Sequence, residues 1–172
     1  MVVRRASECR WDGDNGPEAT DLVSTGNLIR SAPAALGHFA LCTSAGVDRA
    51  GAFPFAILNL FGVLKFKKAS EELLQQSGLS HTIVRPSRLT DGPYTSYDLN
   101  TLLQATSGTK QRVVLSRQDD LVGEASRIST AELLVQSLTV AALQGEVLAL
   151  STEEGEGPGE DSTAWEALLA QL

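Results

Sequence analysis

Short apolar or β-branched runs alternate along this chain with longer stretches in which apolar residues recur at helical spacing. The short runs predict strands at 38–44, 81–86, 111–116 and 146–151. The longer stretches predict helices at 17–31, 54–77, 129–143 and 163–172. Strands that alternate with helices are typical of βαβ units, so the pattern predicts an α/β fold with a mostly parallel sheet between layers of helices. We expect a single domain over residues 1–172, with residues 1–14 irregular.

Two helix ends carry recognisable boundary residues. Gly78 follows the predicted 54–77 helix and is expected to be its C-terminal cap. Ser129 is followed three residues later by Glu132, which is the spacing of a capping box and predicts a helix that begins at Ser129.

Two predicted strands change abruptly from apolar to polar at their carboxyl ends. One ends in Thr43 and Ser44, and the other runs into Arg85 and Pro86. Ligands of open parallel sheets bind beyond the carboxyl ends of the strands, so we expect these two ends to lie together at a ligand-facing edge. A turn-capping role for Ser44 and a surface ion pair for Arg85 are the structural alternatives.

The helix predicted between these strands carries three lysines that could bind ribose hydroxyls or stabilise negative charge, namely Lys65, Lys67 and Lys68. Lys67 and Lys68 lie four residues before Glu71 and Glu72. Surface ion pairing on the helix therefore accounts for at least one of these lysines without a ligand.

Composition excludes several classes of function. The net charge of −7 opposes binding to nucleic acid, which needs a basic face. The longest apolar stretch, 52–64, is too short to span a bilayer, so we expect a buried core or interface helix there. Cys42 lies in an apolar run and is expected to be buried. His38 and His81 begin strands, away from the polar ends, and no metal site is expected.

Three segments, "HFALCTSAGV", "LKFKKASEELLQQSGLSHTIVRPSRLTDGPYTSYDL" and "SRISTAELLVQSL", resemble the atypical short-chain dehydrogenase/reductase superfamily. The most similar branch is that of the NAD(P)H-binding proteins of plant and algal plastids, with biliverdin/flavin reductase as a more distant relative. The resemblance starts near Trp11 and is specific from Leu58 to Asn100. It implies a Rossmann-like dinucleotide-binding fold and a chloroplast location.

The resemblance also implies which residues bind NADP(H) or NAD(H). The residues at Thr43 and Ser44 lie beside the nicotinamide ring in that family, the lysine at Lys67 binds the nicotinamide ribose, and the backbone after Pro86 contacts the carboxamide. The implied catalytic residues are Ser44 and Lys67. The implied cofactor-binding residues are Thr43, Ser44, Lys67, Arg85, Pro86, Ser87, Arg88 and Leu89.

The chain departs from the family pattern in three places. Val63 stands where the superfamily has its catalytic tyrosine, and Ser87 stands where glycine is common. The sequence contains no G-x-G-x-x-G phosphate loop, and "GEGPG" at 155–159 is too acidic to serve as one. We therefore expect an incomplete Rossmann-like fold, the C-terminal two-thirds of an NAD(P)-binding domain, in which dinucleotide binding by this chain alone is weak or absent.

Two functions follow from these observations. The first is an NAD(P)H-dependent oxidoreductase that reduces a small conjugated or flavin-like acceptor. The second is a non-catalytic scaffold or assembly factor that retains the fold and contacts a protein partner through the exposed sheet edge or the 52–64 helix.

Overall fold

The predicted strands assemble into one mostly parallel sheet in the computed structural model, which describes residues 14–90 and 111–172. The strands are β1 (Phe39–Cys42), β2 (His81–Pro86), β3 (Arg88–Leu89), β4 (Arg112–Ser116), β5 (Glu124–Ala125) and β6 (Val147–Glu153). The four-stranded sheet has the order β1-β2-β6-β4. Strands β1, β2 and β6 are parallel and β4 is antiparallel to β6. The predicted α/β class with a mostly parallel sheet is confirmed.

A second sheet was not predicted. Strands β3 and β5 pair in parallel, with Arg88 opposite Glu124 and Leu89 opposite Ala125. Each strand has two residues, which is too short for an alternating pattern to show in the sequence.

Each of the four predicted helical stretches contains helix, but the helices are shorter and more numerous than predicted. They are a π-helix (Glu18–Val23), α1 (Ser24–Ser31), α2 (Phe55–Leu58), α3 (Val63–Gln76), α4 (Arg127–Gln136), a 3₁₀ helix (Ala141–Leu143) and α5 (Ser162–Leu169). The single helix predicted at 54–77 is wrong, because the chain leaves helical geometry between α2 and α3. Gly62, with φ of 76°, begins α3 there in a left-handed conformation. The predicted cap at Gly78 is confirmed, with φ of 77° just after α3.

The start of α4 corrects the capping-box prediction. Ser126, not Ser129, is the N-cap, and its Oγ accepts a hydrogen bond from the backbone N–H of Ser129 at 3.3 Å. Helix α4 therefore begins before the apolar run that suggested it, and it ends at Gln136 rather than at residue 143.

The described residues fall into two compact units. The sheet unit consists of residues 37–45, 79–90 and 111–172 and contains every strand. Its core is fully buried and includes Val84 of β2, Leu148 and Leu150 of β6, Leu133 of α4 and Trp165 of α5. The apolar faces of two helices and a sheet thus give this unit a core of its own.

The helical unit consists of residues 14–36 and 46–78 and contains the π-helix and α1 to α3. Ile29 of α1 and Leu64 and Leu74 of α3 are buried. Gly26 of α1 is also buried, and a Cβ placed on it would lie 3.4 Å from Leu73 Cδ1 of α3, so α1 and α3 pack closely.

Two burial predictions are wrong. Cys42, at the carboxyl end of β1, is exposed rather than buried. In the 52–64 segment Phe53, Ile57 and Leu60 are exposed, so it is not a buried core helix. Its role as an interface helix stays a prediction.

Candidate functional site

The carboxyl ends of β1 and β2 lie side by side, as their polar residues predicted. The backbone N–H of Thr43 donates to the carbonyl of Val84 at 2.8 Å, and that of Ala45 donates to the carbonyl of Pro86 at 2.9 Å. These hydrogen bonds extend the parallel β1–β2 pairing beyond Cys42, the last residue of β1. The two polar strand ends therefore share one edge of the sheet.

A third strand end joins them at this edge. Strand β6 runs parallel to β2, with Pro86 opposite Leu150, and it continues into buried Ser151 and Thr152. The Oγ1 of Thr152 accepts a hydrogen bond from the N–H of Ser126 at 2.9 Å. The sequence reasoning missed Ser151 and Thr152, although "LALST" changes from apolar to hydroxyl residues in the same way as "ALCTS".

Ser87 occupies the centre of this edge. It follows β2, it is 9% exposed, and its N–H donates to the carbonyl of Leu150 at 2.8 Å. Its Oγ is buried and has no hydrogen-bond partner among the described residues. A buried polar group without a partner costs about 1–3 kcal/mol, so this hydroxyl suits a ligand that supplies a hydrogen bond. In this respect the edge fits the polar amide end of a dinucleotide.

The other residues predicted around Pro86 lie in different environments. Arg85 is 4% exposed, so its side chain lies in the interior rather than at the surface. Arg88 is exposed, and its Nη2 lies 3.2 Å from Oε1 of Glu124 on the neighbouring strand β5. Leu89 is partly buried and packs against the core of the sheet unit. Pro86 is buried, whereas Arg88 points its charge to the surface.

Ser44 is half-buried, and its Oγ donates to the carbonyl of Ala45 at 3.0 Å. This contact favours the turn-capping alternative for Ser44 in the structure described. The hydroxyl retains its acceptor capacity, so its role beside a nicotinamide ring stays a prediction.

Lys67 lies in the helical unit and is paired, but not with the glutamates that follow it on α3. Its Nζ lies 2.7 Å from Oδ1 of Asp21 in the π-helix. Lys68 is bound by Asp48 at 2.6 Å and lies 3.9 Å from the buried carboxylate of Glu71. The contact of Lys68 within the helix is with buried Glu71 three residues on, not the expected surface pair with Glu72 four residues on. The partner of Lys67 lies 46 residues away in the sequence.

The glycine-rich run near the carboxyl end of the chain has a structural explanation. The N–H of Gln111 donates to the carbonyl of Gly155 at 3.1 Å. A Cβ placed on Gly157 would lie 2.4 Å from the carbonyl oxygen of Gln111. These glycines allow the acidic loop to approach the segment before β4, and the run does not connect a strand to a phosphate-binding helix.

Two other classes of site are not found in residues 14–90 and 111–172. These residues contain no group of three or more His, Cys, Asp or Glu side chains that could hold a metal ion. Among the helices of the same ranges, none has the length and apolar character needed to cross a membrane.

The sequence has clear relatives among proteins that bind nicotinamide cofactors. The family described as NAD(P)H-binding matches residues 11–140, so this chain belongs to the NAD(P)H-binding family. The resemblance drawn from the sequence motifs is thereby confirmed.

Two curated relatives differ in how much of them the chain covers. The chain is 38% identical over 132 residues to Protein TIC 62, chloroplastic, of Arabidopsis thaliana, a match that covers 75% of the chain and 19% of that protein. It is 26% identical over 173 residues to sanguinarine reductase of Eschscholzia californica, which covers 96% of the chain and 56% of that protein. The chain therefore spans about a fifth of the chloroplast relative and about half of the reductase.

Among solved structures, the oxidoreductase ylbE of Lactococcus lactis has a similar fold. The TM-score is 0.65 at 15% sequence identity, and the alignment covers 94% of the chain and 64% of the bacterial protein. At this identity the likeness concerns the fold alone, and it agrees with the mostly parallel α/β architecture described above.

Proposed function

We propose that this chain binds a nicotinamide dinucleotide, NADP(H) or NAD(H), at the edge where β1, β2 and β6 end. The single observation that carries the proposal is the buried Oγ of Ser87 at this edge, which has no partner among residues 14–90 and 111–172, in a chain of the NAD(P)H-binding family. A carboxamide offers both a donor and an acceptor, either of which pairs with a serine hydroxyl.

The neighbouring residues have complementary roles in this proposal. Thr43 and Ser44 line the end of β1, and the chain after Pro86 leaves β2 and pairs as β3 with β5. Lys67 binds the hydroxyls of the nicotinamide ribose, as the family resemblance implies. Arg85 and Arg88 support the turn, Arg85 from its buried position and Arg88 through Glu124.

The proposed activity is that of an NAD(P)H-dependent oxidoreductase of the atypical short-chain dehydrogenase/reductase type. A bound nicotinamide supplies the hydride. On binding of the acceptor, the Ser44 hydroxyl exchanges its contact with the carbonyl of Ala45 for a hydrogen bond that it donates to the acceptor, which orients the acceptor. Because Val63 replaces the family tyrosine, no phenol donates a proton at that position, and this favours a small conjugated or flavin-like acceptor that takes its proton from water.

The chloroplast is the proposed location, because the chain resembles Protein TIC 62, which is described as chloroplastic. The net charge of −7 supports a small-molecule or protein partner rather than a nucleic acid.

The proposal is tested by replacing Ser87 with alanine and titrating the full chain with NADPH and NADH. Loss of one hydrogen bond to the ligand should weaken binding about three- to tenfold. Stability without ligand should stay the same or rise, because the substitution removes a buried hydroxyl that has no partner in the described part of the chain. Nicotinamide fluorescence gives the affinity, and a thermal-shift titration gives the ligand-dependent stabilisation.

Ser129→Ala is the matched control. Its Oγ is also buried and unpartnered among the described residues, but it lies inside the first turn of α4. It should leave the affinity unchanged. An equal effect of the two substitutions would contradict the role of Ser87, and no thermal shift of the wild-type chain at millimolar dinucleotide would contradict the proposed function itself.

A scaffold without dinucleotide binding is the second candidate. The observation that favours it is the apolar segment in which Phe53, Ile57 and Leu60 are 83%, 65% and 74% exposed. Exposed side chains of this size are typical of a surface that contacts another protein. Protein binding without any response to dinucleotide would support this second function.

A further inference from the structure

The pairing of β2 with β6 continues one residue beyond the end of β2. Pro86 lies opposite Leu150, and the N–H of the following residue, Ser87, donates to the carbonyl of Leu150 at 2.8 Å. In this pair of strands an N–H bonds to the carbonyl one residue before its opposite partner. Ser87 therefore stands opposite Ser151 at the candidate edge.

The side chains of these two serines lie on the same face of the sheet. Successive residues of a strand point to opposite faces, so Ser151 shares a face with Ala149, and Ser87 shares one with Arg85. Arg85 and Ala149 are opposite each other, which puts both serines on one side. Thr152, the next residue of β6, points to the other side, where its hydroxyl accepts a backbone hydrogen bond.

The two serines are buried but do not satisfy each other. Ser87 is 9% and Ser151 is 7% exposed. Oγ of Ser87 has no hydrogen-bond partner among the described residues, so the two hydroxyls do not bond each other although their residues are neighbours. Adjacent strands lie about 4.8 Å apart, whereas a hydrogen bond between two oxygens is about 2.8 Å long. A third polar group can bridge such a separation.

The position on the other side of Ser87 is apolar. The N–H of Ala45 donates to the carbonyl of Pro86 at 2.9 Å, so Ala45 follows the end of β1 and stands beside Ser87. Its side chain is a methyl group, and the residue is 6% exposed. In this row across the three strand ends, the hydroxyl that accompanies Ser87 is therefore that of Ser151.

We propose that Ser87 and Ser151 together bind the carboxamide of the nicotinamide. One hydroxyl donates to its carbonyl oxygen, and the other accepts from its N–H. Ser151 is then a further ligand-binding residue, and the pair makes the site specific for an amide. The inference rests on the proposed function, because it assumes that the dinucleotide binds at this edge.

An amide group has the dimensions and the chemistry that this pair requires. Its nitrogen and oxygen lie about 2.2 Å apart, as follows from the lengths of the two bonds that join them through carbon. With a hydrogen bond of about 2.8–2.9 Å on each side, the group links hydroxyls on neighbouring strands. A serine hydroxyl both donates and accepts, so either orientation of the amide satisfies both serines.

The experiment compares NADH with the reduced form of 3-acetylpyridine adenine dinucleotide, in which a methyl group replaces the amide nitrogen. Dissociation constants for both are measured with the full chain of wild type, Ser87→Ala, Ser151→Ala and the double variant. Wild type should prefer NADH about three- to tenfold, the value of one hydrogen bond. Ser151→Ala should weaken NADH binding by a similar factor, and in the double variant the preference should fall below about twofold.

Ser129→Ala is again the matched control. It removes one buried hydroxyl in α4, away from the row of strand ends, and should change neither the affinity for NADH nor the preference over the acetyl compound. Thermal unfolding without ligand shows whether each variant is folded.

The outcomes separate this inference from the proposed function. A wild-type chain that binds neither dinucleotide at millimolar concentration overturns both. If Ser87→Ala weakens NADH binding and Ser151→Ala does not, the proposed function stands and the role of Ser151 is overturned. A double variant that keeps the full preference for NADH also overturns the inference. If Ser151→Ala does not fold, wild type alone decides, because equal affinity for the two dinucleotides would mean that the amide nitrogen has no partner in the site.

Discussion

In the sheet unit, the ends of β1 and β2 that carry Thr43 and Ser87 are held by backbone hydrogen bonds, whereas in the helical unit Lys67 is held by a side-chain ion pair. The sheet contacts are the N–H of Thr43 to Val84 and the N–H of Ser87 to Leu150, both 2.8 Å long. The helical contact is the 2.7 Å pair of Lys67 with Asp21. Backbone hydrogen bonds between strands form with almost any side chains, provided that the strands are in register. The ion pair forms only if an acidic residue stands at position 21 and a basic residue at position 67.

The difference teaches how each unit depends on its sequence. At the strand ends, side chains can change while the backbone geometry persists, provided that the core below them stays packed. On α3, by contrast, substitution of the single residue Asp21 in the π-helix removes the ion pair of Lys67, the candidate ligand-binding lysine. Substitutions should therefore act on the sheet edge through the core and on α3 through local contacts.

The largest expected effect comes from the core of the sheet unit. Trp165 is fully buried, and its Nε1 donates to the carbonyl of Gly159 at 2.9 Å. Trp165→Ala should lower the free energy of unfolding by about 3–5 kcal/mol, measured by urea denaturation. Hydrogen exchange should quicken at the amides of Thr43, Ala45 and Ser87, which form the candidate edge.

Trp165→Phe is the conservative comparison for that substitution. It keeps most of the apolar volume and loses the hydrogen bond to Gly159, so its cost should be smaller, about 1–2 kcal/mol. A cost below about 1 kcal/mol for Trp165→Ala would show that the edge does not depend on this core.

The strands of the sheet unit could be predicted because their signal is local. Strands β2 and β6 are mainly apolar runs, as expected of parallel strands covered on both faces. The polar ends of β1 and β2 identified the shared edge. The paired two-residue strands β3 and β5 could not be predicted, since a contact between Arg88 and Glu124 leaves no periodic pattern. The N-cap at Ser126 was missed because Ser129 offered the same residue type closer to the apolar run.

An intermediate effect is expected where α3 begins. Gly62 has φ of 76°, and a Cβ placed there would lie 2.8 Å from Cε2 of Phe66. Gly62→Ala should cost about 1–2 kcal/mol from backbone strain, with an added cost for moving the Phe66 ring. Thermal unfolding measures the loss.

Gly78→Ala is its matched control, because Gly78 has φ of 77° with open space around its Cα. The two substitutions share the backbone strain, so the difference between them isolates the contact with Phe66. If Gly78→Ala costs as much as Gly62→Ala, the ring contact contributes nothing to the start of α3.

The site residues of the helical unit were only partly predictable. Lys67 was identified through the family resemblance, but its partner Asp21 was not, because a pairing between residues 46 apart depends on how two helices pack. The π-helix was missed as well, since its wider turn gives no distinct pattern over six residues. The break at Gly62 had a signal in the glycine itself, which was read as part of a continuous apolar helix.

The smallest expected effect concerns the opposite end of β1, where a histidine rather than a carboxylate makes the side-chain contacts. Thr82 donates its hydroxyl proton to the carbonyl of Leu143 at 2.6 Å, so it accepts a hydrogen bond from Nε2–H of His38 at 3.0 Å. Nδ1 of the neutral ring then accepts from the hydroxyl of Ser80 at 2.9 Å. Burial and the nearby His81 lower the pKa of His38 below its ordinary value of 6.5.

The sign of the pH effect follows from this lowered pKa. Above pH 6.5 the His38 ring is neutral in both states and its contribution to stability is fully present. As the pH falls below that value, the unfolded chain takes up the proton first, and stability is lost until the folded ring is also protonated.

Glu132 acts in the opposite direction, because burial and Glu160 raise its pKa and its protonation stabilises the folded state as the pH falls. Comparing wild type with His38→Gln between about pH 7.5 and about pH 5.5 isolates the histidine, since Glu132 is common to both. The melting temperature of wild type should fall more steeply with decreasing pH than that of the variant, and parallel curves would mean that the contacts of His38 do not depend on its charge.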